Sequence, residues 1–183
     1  MHHRIIFLFL LVLGVSCSPI QDTAQILNDK LTTFFTKAQL VKVLDKIGND
    51  FYIQKPNANI TRDAGKKLGE LMTDGQRSSF QSMNKKLRSG LGRGYAKVVK
   101  DFRKLAGRAF DKNLTTSKKI TSNQVKAGKT KVEAINAAWR NADKTMATQI
   151  KNGIEAWKKT VTANQWRVIK SSLAKLIRFG LYP

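Results

Sequence analysis

Histidine and cysteine are almost absent: His2, His3 and Cys17 are the only ones, and all three fall in the first seventeen residues. That segment has the form of a secretory signal, with a basic start at His2, His3 and Arg4, an unbroken apolar run from Ile5 to Val15, and small residues Ser16 and Cys17 before Ser18. The run is eleven residues long, short of the about 20 needed to span a bilayer. The reading is a leader over residues 1–17 followed by one secreted domain over residues 18–183. Its rivals are an uncleaved anchoring helix and a lipoprotein signal lipidated at Cys17, though Gly14 stands where the latter usually has Leu.

With the leader gone, no side chain that ordinarily titrates near neutrality remains, and the common zinc, copper and iron ligand sets are unavailable. No disulfide framework is possible either, so the domain must stand on packing alone, which a chain of this length can do. Acidic residues are also scarce, 12 in all and scattered singly. Neither a nucleophile motif nor a phosphate-cradling glycine loop accompanies them. Ser-Lys and paired-carboxylate chemistry stay possible in principle, but the expectation is a binding protein, not an enzyme, with no cofactor and no metal.

Strand-period segments are missing as well, and helical signals replace them. Four times a Thr is followed three positions later by Gln at the head of an apolar helical pattern: Thr36–Gln39, Thr73–Gln76, Thr121–Gln124 and Thr162–Gln165. Each fits a capping box, in which hydroxyl and amide side chains satisfy free backbone NH groups of the first turn. Behind the first box, Leu40, Val43, Leu44, Ile47 and Phe51 share one helical face, and Pro56 closes the unit. Further helices are expected from about Thr61 to Leu71, from Thr73 to a glycine-rich break at Gly90, Gly92 and Gly94, and from Tyr95 to Phe110. A solvated loop is expected over 111–121. Beyond it lies a long helix from about Ser122 to Lys158, interrupted near Gly128 or Gly153, and a last helix from Thr162 to Phe179. The fold class is therefore all-α, a single bundle or wedge of about six to seven helices including one long one.

Charge is lopsided. The chain carries 34 Lys or Arg, and removing Arg4 with the leader leaves a net charge of +21. The stretch Lys85 to Lys131 holds 15 of them against only Asp101 and Asp111. Within it Lys97, Lys100, Arg103, Lys104 and Arg108 lie on the polar side of one helix and form the candidate anionic-surface site. Such a field concentrates polyanions, whether nucleic acid, sulfated glycans or anionic lipid headgroups, unless it serves solubility alone. Sequence-specific nucleic-acid reading is not expected, since no zinc finger, homeodomain-like signature or aromatic-rich strand is present. The apolar stripes place Phe80, Phe102, Trp139, Met146 and Trp157 where they form either an ordinary bundle core or the lining of a lipid pocket between helices. Asn59-Ile60-Thr61 and Asn113-Leu114-Thr115 are acceptor triplets for glycosylation at Asn59 and Asn113.

Three segments, Phe35-Thr36-Lys37-Ala38-Gln39 with Leu40 to Phe51 behind it, Leu71-Met72-Thr73-Asp74-Gly75-Gln76, and Ile154-Glu155-Ala156-Trp157-Lys158-Lys159-Thr160-Val161-Thr162, are similar in kind and order to pieces of the secreted fatty-acid and retinol-binding proteins of nematodes. That resemblance implies an open wedge of helices around an apolar cavity that takes up a fatty acid or retinoid. The chain departs from the family in its stronger basicity and in Phe179-Gly180-Leu181-Tyr182-Pro183, where the family has Phe-Pro. Two functions follow as expectations. The leading one is a secreted, non-enzymatic lipid carrier whose partner is a fatty acid or retinoid. The alternative is a cationic helical protein that binds anionic membranes, polyanionic glycans or nucleic acid through its basic helix.

Overall fold

The structure, a computed structural model, describes residues 20–181, apart from the side chains of 142–146. The leader expected over 1–17 lies outside the described residues. Seven α-helices and no strand occur among the described residues: α1 (Ile20–Lys30), α2 (Lys37–Tyr52), α3 (Asn57–Leu71), α4 (Asp74–Leu91), α5 (Tyr95–Lys126), α6 (Lys131–Lys158) and α7 (Ala163–Leu173). Short 3-10 turns at Gly92–Gly94 and Phe179–Leu181 complete the chain. The all-α expectation holds.

Three of the four Thr–Gln boxes close as expected. Thr36, Thr73 and Thr162 each accept from the backbone NH three residues on, and the corresponding Gln returns the bond to the cap. The first two boxes are also joined to each other. Gln39 Nε2 donates to Leu71 O at 2.6 Å and to Gln76 Oε1 at 2.8 Å, while Gln76 Nε2 donates to Phe34 O at 2.6 Å and to Gln39 Oε1 at 3.0 Å. Each glutamine thus caps its own helix and clamps the chain entering the other, in a local two-fold arrangement.

The fourth box is a correction. Thr121 is buried inside α5, where its hydroxyl donates to Ser117 O at 2.9 Å, and caps nothing. The cap of the next helix is Thr130, whose box is completed by Glu133 instead of Gln. The loop expected over 111–121 is also overturned, because α5 runs unbroken for 32 residues, about 48 Å at 1.5 Å per residue. Its buried face continues from Ala106 and Phe110 through Leu114, Ser117 and Thr121 at helical spacing. Hydroxyl residues fill the last two of these positions, which hydropathy reads as solvated, and that of Thr121 is bonded back to Ser117 O. The break falls instead after Ala127, where Gly128 takes φ +76, so the long helix begins at Lys131 and Gly153 lies within it.

Smaller shifts occur elsewhere. Helix α3 starts directly behind Pro56, which is its N-cap residue, and not at Thr61. Helix α7 ends at Leu173 instead of Phe179, and Arg178 N then donates to Leu31 O at 2.7 Å, fastening the C-terminal segment to the end of α1.

The α5–α6 hairpin is the most extensive pairing; α2 packs across both of its helices, α1 lies on α2 and α6, and α4 pairs with α7. The approach of α2 to α6 requires Gly48. A Cβ there would sit 2.9 Å from Ile135 Cγ2 and 3.0 Å from Trp139 Nε1, so the absence of a side chain lets the fully buried indole lie against the α2 backbone.

A candidate polyanion-binding surface

Helix α5 organises the site. Its buried residues Val98, Val99, Phe102, Ala106, Phe110 and Leu114 face α6 and α2, which turns the opposite side outward. At 3.6 residues per turn, Lys97, Lys100, Lys104 and Arg108 fall on that outer side, all exposed, and Arg103 flanks them. Because α5 does not stop at Phe110, exposed Lys112, Lys119 and Lys126 continue the same stripe. From Lys97 to Lys126 it runs about 44 Å. Among the described residues, only Lys97 of the five expected site residues has a carboxylate partner, Asp101 at 2.7 Å. The expected five are therefore brought together on one face, and the lysines beyond them, which the sequence places in the Lys85 to Lys131 surface but partly on a loop, join the same helix.

Where the C-terminal half of α5 passes the α2–α3 turn, the stripe borders a cleft of about 590 Å³. Lys118, Lys119, Lys126, Ser122 and Asn123 form one wall and Gln54 and Asn57 the other. The walls are tied together: Lys118 Nζ donates to Lys55 O at 2.8 Å, Gln54 Nε2 to Lys118 O at 3.2 Å, and Asn57 Nδ2 to Thr115 Oγ1 at 3.1 Å. Gln54 has φ +54, a left-handed conformation that costs a side-chain-bearing residue roughly 1 kcal/mol and is held here by these bonds. No carboxylate lines the cleft. The nearest acidic cluster is neutralised: Lys55 bridges Asp50 at 3.3 Å and Asp63 at 2.6 Å. The hydrogen bond between them raises the Lys55 pKa and lowers that of Asp63.

The residues expected to line a lipid pocket are placed differently. Phe80, Phe102, Trp139 and Trp157 are 3%, 5%, 0% and 2% exposed and belong to the core. They divide into separate layers. Phe102 lies tilted against Trp157 at 4.5 Å between ring centroids, Trp157 edge-to-face with Trp166 at 5.7 Å, and Trp166 edge-to-face with Phe179 at 5.4 Å. Trp139 pairs with Phe51 at 5.1 Å. Trp139 and Trp157 stand eighteen residues apart on one helix, about 27 Å along its axis, so they do not face a common point. The Met146 side chain lies outside the described residues.

Of the two glycosylation triplets, Asn59 sits in the first turn of α3, a helix start as expected. Asn113 lies mid-helix in α5, not in a loop, and its amide donates to Gln149 Oε1 of α6 at 3.1 Å. A glycan on that nitrogen would have to part the two helices.

Among the described residues no group of three His, Cys, Asp or Glu side chains lies close enough to hold a metal ion, and no helix is long and apolar enough to cross a membrane. Compared with protein-family models, curated proteins and solved structures, the chain matches none.

Proposed function

We propose that the protein is a secreted, non-enzymatic helical module that binds polyanionic surfaces through the outer face of α5. The observation that carries this reading is the stripe of cations from Lys97 to Lys126, interrupted only by Asp101 and Asp111, opposite the buried face of one unbroken helix. A row of cations about 44 Å long suits an extended polyanion laid along the helix, and the free energy of such binding comes mainly from released counterions. Asp101 and Asp111 share that side with the basic residues, which still outnumber them beyond what solubility asks of one helix face. The core packing supports the same choice between the two functions. Four of the five aromatic and apolar residues proposed for lipid contact are occupied by one another or by the rest of the core.

Heparin chromatography tests the proposal. Wild type should be retained in low salt, and replacing Lys97, Lys100, Arg103, Lys104 and Arg108 with Gln should bring elution to a markedly lower salt concentration. Equal retention would overturn it. Saturable binding of a fluorescent fatty acid that survives high salt and competes with oleate would favour the lipid carrier instead, since screening removes charge attraction but leaves apolar burial intact.

A further inference from the structure

Three of the four large apolar side chains exposed among the described residues gather at one end of the molecule. Ile53 is 65% exposed, Val125 41% and Val132 67%. Ile53 follows the last turn of α2, while Val125 and Val132 flank the four-residue link between α5 and α6. The two parts meet. Lys131 Nζ lies 5.5 Å from the centre of the Tyr52 ring, and Gln54 shares the lysine-walled cleft with Asn123 and Lys126. The link itself is closed by Gly128 N to Val125 O and Lys129 N to Gln124 O, both 3.0 Å, which fixes the tip.

Lys118, Lys119 and Lys126 wall the cleft that Gln54 shares, Lys131 lies over Tyr52, and Lys129 stands in the link between Val125 and Val132. Two acidic groups nearby are engaged: Glu133 completes the cap of α6 and pairs with Lys129 at 3.6 Å, and Asp63 pairs with Lys55. An apolar tip flanked by lysines is the arrangement suited to a bilayer with anionic headgroups. The apolar side chains enter below the headgroups while the lysine stems follow them and keep their ammonium groups at the phosphates. A nucleic acid or sulfated glycan would satisfy the lysines and leave Ile53 and Val132 in water.

We infer that this end of the molecule docks on an anionic phospholipid bilayer, with Ile53, Val125 and Val132 inserted and a lipid phosphate in the cleft between Gln54, Asn57 and Lys119, Lys126. The inference rests on the polyanion-binding reading and shares Lys119 and Lys126 with its stripe, but the inserted side chains lie outside the Lys97 to Arg108 row, so the two fail separately.

Sedimentation with phosphatidylcholine vesicles, with and without phosphatidylserine, tests it on the full chain. Wild type should bind only the serine-containing vesicles. The variant Ile53→Ser/Val125→Ser/Val132→Ser, whose sites are exposed and whose fold should be unaffected, should lose about tenfold or more in partitioning, the scale of burying a few aliphatic side chains. Its elution from heparin should match wild type. Lys119→Gln/Lys126→Gln should weaken vesicle binding several-fold and flatten its salt dependence. Vesicle binding by the serine variant equal to wild type would overturn the insertion. Retention of wild type on heparin without any binding to serine-containing vesicles would overturn bilayer docking and leave glycan or nucleic acid as the partner. Failure on heparin as well would overturn the broader reading.

Discussion

Glu133 shows how much one side chain settles at the residue scale. Its carboxylate accepts from Thr130 N and from Thr130 Oγ1, both at 2.9 Å, and these bonds hold its pKa below the usual carboxylate value. A group whose pKa is lowered by folding adds stability that is present above its unfolded pKa and is lost as pH falls through the folded one. Acid should therefore loosen the start of α6, and Glu133→Gln, which keeps an acceptor but does not titrate, should make melting less sensitive to acid. Thr130→Ala should lower stability by about 1 kcal/mol, the usual loss for a cap, whereas Thr121→Ala should show no capping loss because that residue caps nothing. Gly48→Ala drives a methyl group into Trp139 and Ile135 and should cost about 1–3 kcal/mol, read from chemical denaturation.

Among elements, the joined caps of α2 and α4 and the continuity of α5 matter most. Gln39 and Gln76 each donate two cross-helix hydrogen bonds besides their capping bond, so Gln39→Ala should cost about 2 kcal/mol, more than a cap alone. The two cap motifs themselves were legible in the sequence. Their union was not, because it depends on how the chain brings residues 37 apart together. Helix α5 carries the opposite lesson. Thr115, Thr116 and Thr121 look like loop residues, yet each hydroxyl donates to the carbonyl four residues back and the helix passes straight through. Backbone amides around Leu114 and Ser117 should accordingly exchange slowly with solvent. Exchange as fast as in an open loop would contradict an unbroken α5.

For the whole molecule, charge and apolar periodicity identified the all-α class and the first half of the cationic face from Lys97 to Arg108. Its extension to Lys126 depended on a helix that the polar residues between Asp111 and Thr121 concealed. Sequence spacing put Phe80, Phe102, Trp139 and Trp157 on apolar stripes but could not say whether those stripes would face a ligand or one another, since that is decided by how the helices cross. The tip formed by Ile53, Val125 and Val132 had no signal in the sequence, because its members come from two turns 72 residues apart and become a patch only when α2 ends beside the α5–α6 link.

The central claim is that a cationic face on α5 binds polyanions, and the most direct measurement is the salt dependence of heparin affinity for wild type and for the variant neutralised at Lys97, Lys100, Arg103, Lys104 and Arg108. If these side chains make the contacts, the logarithm of affinity should fall steeply with the logarithm of salt for wild type. The slope should be shallower for the variant by up to roughly one for each contact removed, the counterion release expected per neutralised phosphate in nucleic acid. Identical slopes and affinities for the two proteins would contradict the account.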